Sequence, residues 1–177
     1  MTVHIMTTDQ YFRVGLEYIC QVYGERSVII DRKGSANLPQ RYAPGRDTLI
    51  LALDVFRGDP MALFDGSRRL RALDIKIVVV SEGGRAFHGV GGHALSKRDR
   101  PEVFMQAIKG ERTFSTFFRP VSLTAWESSV LRGFLSGKSV KQIAESGGRA
   151  VGAVYAGKAS VLQKLQVQRM NHLLQMF

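Results

Sequence analysis

The sequence predicts an α/β chain: a doubly wound parallel sheet over residues 1–110, then a small all-α domain organised as a helix-turn-helix. Three observations carry this expectation. Continuous apolar runs at 48–53 and 75–80, each followed by a polar side chain (Asp54, Ser81), read as strands buried on both faces of a parallel sheet. Helical periodicities precede, separate and follow them, the alternation that builds βαβ units. From Thr124 onward the strand signals stop. Helical segments follow one another instead, broken at Ser136-Gly137 and at Ser146-Gly147-Gly148.

Taken in order, Val3 to Met6 reads as a first strand. A helix from about Tyr11 to Tyr23 follows, with Phe12, Leu16, Ile19 and Cys20 on one side, then a second strand from Ser27 to Ile30. Residues 31–46 hold Gly34, Pro39, Pro44 and Gly45 without periodicity and read as a loop. The strand Thr48–Leu53 ends at Asp54, and Pro60 opens a helix to about Leu73. The strand Ile75–Val80 ends at Ser81, and a short strand around Ala94-Leu95 closes the set. Pro101 suits the first turn of a helix whose buried side is Val103, Phe104, Ala107 and Ile108. Residues 111–122 form a linker, but Phe114, Phe117 and Phe118 make it too aromatic for a flexible tether, so docking onto a domain or partner is expected.

The second domain, residues 123–177, opens with Thr124-Ala125-Trp126-Glu127, a capping-box pattern, and Val130, Leu131, Phe134 and Leu135 then share one helical face. Gly137 supplies a left-handed C-terminal cap. A short helix from Ser139 to Glu145 buries Val140, Ile143 and Ala144, and a longer one from Arg149 to Leu165 buries Val154, Val161 and Leu165. Two helices joined by a tight glycine turn make a helix-turn-helix, whose second helix lies in the major groove of DNA in proteins that use the motif so. A last helix is predicted over 167–177, with Met170, Leu173, Leu174 and Phe177 in the core or, as the resemblance given below implies, at a dimer contact.

Composition sets the bounds. The chain has 177 residues, 45% hydrophobic and 23% charged, an ordinary globular balance. No apolar run reaches the ~18 residues of a membrane span, the N-terminus lacks a secretory pattern, and a lone Cys20 on a helix reads as a buried inert thiol. A cytoplasmic protein is expected. The formal charge is +10 and the pI about 10.2, which favours a polyanionic partner, nucleic acid ahead of membrane. Lys138, Lys141, Arg149, Lys158, Lys164 and Arg169 fall on or beside the predicted docking helices, where acids are sparse.

The run Leu123-Thr124, Glu127, Val130-Leu131, Gly137-Lys138-Ser139, Gln142-Ile143-Ala144, Val154, Lys158, Lys164-Leu165 and Val167 resembles the LuxR-type DNA-binding domain of NarL/FixJ regulators. The chain departs from that pattern at Gly147, Ala150 and Ala153, where the family usually has leucine, serine and threonine, and at Gly157, where a side chain is usual. The resemblance implies double-stranded DNA as partner. Arg149, Val151, Gly152, Tyr155 and Lys158 would lie nearest the base edges, and Lys138, Lys141, Lys158, Lys164 and Arg169 would contact phosphates. Arginine pairs with guanine, but the small residues offer few reading groups, so binding by the lone chain is expected to be weak and unselective. Close backbone approach through Gly152 and Gly157 is a possible compensation.

The first domain resembles, in order, the receiver of the same regulators: Gly15-Leu16 in the first helix, Asp54, Ser81 and Lys97 after successive strands. The resemblance implies a phosphoacceptor aspartate beside a hydroxyl and a lysine, with an acidic pair holding magnesium. Here Thr7 and Thr8 stand at the acidic-pair positions, and hydroxyls are poor ligands for that hard cation. A degenerate receiver is expected, with Asp54, Ser81 and Lys97 as a vestigial pocket in which Lys97 pairs Asp54. An ordinary strand-end acid is the alternative for Asp54. The chain as a whole resembles short NarL/FixJ-type proteins with unorthodox receivers, such as enterobacterial capsule and acid-resistance regulators.

Other patterns are weaker. Gly83-Gly84 and Gly89–Gly92 lack the lysine–hydroxyl pair of a phosphate loop. The four histidines lack metal-ligand spacing, so no metal site or cofactor is expected, and no constellation suggests catalysis. Arg68, Arg69 and Arg71 read as a solvated face or, alternatively, a surface for an acidic partner. The expectation is a DNA-binding regulator, a homodimer or a heterodimer with another LuxR-type response regulator. The alternative is an interaction protein that modulates such a regulator without touching DNA.

Overall fold

The computed structural model describes residues 1–30, 43, 45–57, 59–72, 75–82, 92–110, 117–118 and 121–175. The phosphate-loop glycines 83–91, Phe114, Phe177 and most of the 31–46 segment lie outside these residues, as do the side chains of Arg68, Arg69 and Arg71.

Strands β1 (Thr2–Met6), β2 (Arg26–Ile29), β3 (Thr48–Ala52), β4 (Lys76–Ser81) and β5 (Gly92–Ser96) form a parallel sheet in the order β2-β1-β3-β4-β5. Ile5 stands opposite both Ile29 and Ile50, and Val79 opposite Leu51 and Ala94. β3 is buried along its whole length because both faces are covered. Side-chain alternation divides its residues between two cores. Ile50 and Ala52, with Val3, Ile5, Val78 and Val80, pack under α1 (Gln10–Val22) and α3 (Pro101–Lys109) through Leu16, Cys20, Phe104 and Ile108. Leu49 and Leu51, with Met6, Ile77 and Val79, face α2 (Pro60–Ala72) through Met61, Leu63 and Leu70. The doubly wound parallel sheet is thus as expected. A 3-10 turn at Leu53–Phe56, which the sequence reading did not foresee, carries Asp54 out of the strand end and buries Val55 and Phe56.

The linker docks onto the first domain as expected, in a form the sequence did not specify. Phe117–Phe118 form a two-residue strand, β6, antiparallel to Gly92 and His93 of β5. Backbone pairing at the sheet edge therefore carries the chain out of the first domain.

Helices α4 (Ala125–Leu135), α5 (Val140–Ser146) and α6 (Val151–Lys164) follow. The capping box of α4 is complete: Thr124 Oγ1 accepts from Glu127 N–H, and Glu127 Oε2 accepts from Thr124 N–H at 2.7 Å. α5 repeats the device with Ser139 and Gln142. Gly137 takes the left-handed cap at φ +76°, and Lys138 N–H reaches Gly133 O behind it. Val130, Ile143, Ala144 and Val154 make the inner core of this unit.

The predicted 167–177 helix is shorter than expected. Gln166 adopts φ +53° and ends α6, and α7 spans only Met170–Leu174. Met170 and Leu173 are buried in the same cluster as Leu131, Val161 and Leu165 and the α2 face of the sheet. The open choice for these two residues is thereby decided for core packing. That shared cluster joins the domains, and Arg132 of α4 adds a two-pronged bridge to Asp65 of α2, with both bonds 3.0 Å.

Candidate nucleic-acid interface

α6 buries Val154, Gly157 and Val161 and turns Val151, Gly152, Tyr155, Ala156 and Ala159 outward. Val151 is 45% and Tyr155 57% exposed. Arg149, just before the N-cap Ala150, is exposed, and so are Lys138 and Lys141 at the start of α5 and Arg169 at the N-cap of α7. Among the exposed residues of 149–159, only Arg149 and Tyr155 bear hydrogen-bonding side chains. The scarcity of reading groups is therefore a property of the folded surface.

Two predicted phosphate contacts are placed differently. Lys164 points inward: its ammonium lies 2.7 Å from Glu127 and reaches the Ser122 carbonyl. Glu127 is buried and also accepts from Ser160 Oγ at 2.6 Å. Burial alone would raise the Glu127 carboxyl, but Lys164, then Ser160 and Thr124, outweigh it and hold the group at about 2. Lys164 is thus committed to the fold because α4 presents a buried carboxylate that needs a cation. Lys158 is half-buried with its ammonium over the Phe134 ring, 5.0 Å from the centroid.

Gly157 also departs from expectation. A Cβ built there would lie 3.0 Å from Trp126 Nε1 and 3.1 Å from Val130, so the residue faces α4 and cannot serve close approach to DNA. Gly152 faces open space. The sequence reading missed Trp126. Its indole N–H donates to Ala153 O at 3.3 Å, its ring fills the space beside Gly147, and the Arg149 guanidinium lies 5.2 Å from its centroid. The signal was present: one large aromatic together with two glycines where the LuxR pattern has side chains.

In the first domain the expected pocket closes around Lys97. Its ammonium lies 2.8 Å from Asp54, 3.0 Å from Asp9 and 3.2 Å from Glu82. Burial would lower the lysine, but Asp54 and then Asp9 prevail and raise it above its ordinary value. The first influence lowering the Asp9 carboxyl is the Phe12 N–H, followed by Lys97. Asp54 further accepts from Thr7 Oγ1 at 2.9 Å and Thr8 N–H at 3.1 Å. Ser81 is buried at the end of β4 and meets Lys97 through the backbone, its carbonyl accepting Lys97 N–H at 3.2 Å. The acidic-pair positions thus give a hydroxyl and an N–H to Asp54, and an ammonium sits among the carboxylates. This donor set does not fit magnesium. Among the described residues no group of three His, Cys, Asp or Glu is arranged to hold a metal. Among them, too, no helix is long and apolar enough to cross a membrane.

Comparison with known proteins now adds to this geometry. Residues 121–177 match the family described as bacterial regulatory proteins, luxR family. No curated protein matches the chain in sequence. Among solved structures, the two-component response regulator RcsB in complex with DNA is similar over 99% of this chain and 97% of its own, at 22% identity and TM-score 0.53. A structure of two RcsB dimers bound to two parallel DNAs is similar over the same shares, at 22% identity and TM-score 0.51. These likenesses concern the fold. Residues 121–177 thus match the LuxR-type helix-turn-helix family, and the whole chain, with its parallel-sheet α/β part in front, shares the fold of these response-regulator structures.

Proposed function

We propose that the protein is a transcription regulator that binds duplex DNA through α6. Its receiver-like domain serves dimerisation or partner contact rather than phosphoryl transfer. The observation that carries the reading is the outward, acid-free face of α6, flanked by exposed Arg149, Lys138 and Lys141. Cations so placed neutralise phosphates, which supplies affinity and makes it fall with salt. The RcsB structure on DNA shares the fold and supports the reading.

The lone chain is expected to bind weakly and with little sequence preference, because Tyr155 and Arg149 are the only hydrogen-bonding side chains among the exposed residues of 149–159. Anisotropy titrations of a labelled random duplex at several salt concentrations test this, with and without a second LuxR-type regulator. A steep fall of log K with log salt is expected, with tighter binding once the second regulator is added. No binding at low salt sinks the DNA reading, and a tight, selective footprint by the lone chain sinks the partner requirement.

A second reading, an interaction protein that modulates another regulator without touching DNA, draws on α1. Tyr11, Val14, Tyr18 and Val22 fall at helical spacing and are 93%, 58%, 66% and 60% exposed. A continuous apolar stripe of this kind marks a protein contact. It is compatible with the first reading, as the surface that brings two chains together.

A further inference from the structure

We propose that Trp126 is a positioning residue for DNA contact, holding the Arg149 guanidinium as a phosphate clamp at the leading end of α6. The inference rests on the DNA-binding reading and deepens it.

Trp126 sits on α4 but reaches both the turn at Gly147 and α6 itself. Its six-membered ring fills the place a Cβ at Gly147 would need: such an atom would lie 2.5 Å from Cζ3 and 3.0 Å from Cη2. Its Nε1 fills the place a Cβ at Gly157 would need. The same N–H is bonded to the carbonyl of Ala153, in the first turn of α6. Gly147 and Gly157 therefore form a socket for one indole. The missing side chains are the space that the indole occupies, and the ring ties α4 to both the turn and the docking helix.

Over this ring lies Arg149, exposed and tethered by its backbone N–H to Ala144 O at 3.0 Å. A guanidinium over an indole is held by cation–π attraction while its N–H fork stays free for an oxyanion. Without the ring, an arginine loses much of its rotamer freedom on binding; with it, part of that ordering precedes contact. Arg149 is held back towards α4 and the turn, while Val151, Gly152 and Tyr155 occupy the outward ridge of α6. A cation at the rim of a docking helix meets the sugar–phosphate backbone, so its contact is with phosphate and indifferent to sequence.

The test is a variant cycle read by anisotropy on a random-sequence duplex across salt concentrations. Arg149→Gln should weaken binding about tenfold and reduce the salt slope by about one. Trp126→Leu should cost a similar factor, and the double variant no more than either alone, because the tryptophan acts through the arginine. Gly147→Ala provides an arm that keeps both Trp126 and Arg149 in the sequence. Gly147 has φ −95°, which alanine accepts, so its added methyl acts chiefly by displacing the indole, with the Ile143 carbonyl at 3.2 Å a lesser contact. It should weaken binding in the wild-type background and have no effect beside Trp126→Leu. Multiplicative losses in the Trp126–Arg149 double variant, or Gly147→Ala binding like wild type, overturn the proposal. A loss in Arg149→Gln confined to guanine-containing sites, with the slope unchanged, overturns the phosphate assignment. If wild type binds duplex and Arg149→Gln binds equally well, only this inference fails; if wild type binds no duplex, the DNA reading fails with it.

Discussion

The Lys97 ammonium lies 2.8 Å from the Asp54 carboxylate, on the oxygen that also accepts from Thr7. An aspartate whose oxygens are held by a lysine, a hydroxyl and a backbone N–H is poorly placed as a nucleophile, and the neighbouring carboxylates of Asp9 and Glu82 hold the Lys97 ammonium rather than a metal ion. Incubation with a small phosphodonor and magnesium is therefore expected to leave the intact mass unchanged. Asp54→Ala should lower stability by about 1–3 kcal/mol, since it strips the part-buried Thr7 hydroxyl and Lys97 ammonium of an acceptor. Mass spectrometry and chemical denaturation read the two outcomes.

Glu127 and Lys164 make stability depend on pH in a defined window. The folded carboxyl titrates at about 2, below its ordinary 4.5. A depressed carboxyl contributes fully above the unfolded value and loses that contribution as pH falls through the folded one. Melting curves of wild type and Glu127→Gln should thus differ most above about pH 4.5 and converge towards pH 2. Lys164→Glu would place two carboxylates together at a buried position, so its failure to bind DNA would report unfolding.

The two domains are joined by apolar packing more than by their ion pair. Arg132 and Asp65 are each more than half exposed, and such a pair contributes roughly 0–1 kcal/mol. Leu131, one residue earlier, is fully buried in the cluster shared with the sheet. Leu131→Ala should cost about 2–5 kcal/mol and Arg132→Ala less than about 1. Denaturant titration separates them.

Tyr18→Glu places a charge within the exposed stripe of α1, away from any core. Self-association or capture of a second LuxR-type regulator should weaken about tenfold, on the order of 1.4 kcal/mol, with the melting temperature nearly unchanged. Sedimentation velocity over a concentration series tests it, and association unaltered by the charge removes α1 as the contact.

Burial, with help from Glu25, pushes the Cys20 thiol up to about 11. The native protein should resist alkylation near pH 8 and react once unfolded, as intact-mass measurement would show.

The sequence by itself determined the local structure. The capping box at Thr124 and Glu127, the cap at Gly137, the buried run of β3 and the helix-turn-helix spacing are all short-range. Hydrogen-bond geometry and the periods of helix and strand fix them within a few residues. The resemblance to receivers also put Asp54 and Lys97 in one pocket, which the parallel sheet allows because the C-terminal ends of β3 and β5 lie on one edge. Tertiary structure alone decided which cations face outward. Lys164 and Lys138 look equivalent in sequence, yet α4 lays a buried carboxylate against the first and nothing comparable against the second. Gly157 read as a gap in the docking surface until Trp126, from another helix, was seen to fill it. The pairing of β6 with β5 and the burial of Met170 and Leu173 against the first domain were likewise hidden. Contacts between distant segments depend on volumes and partners that no local window contains.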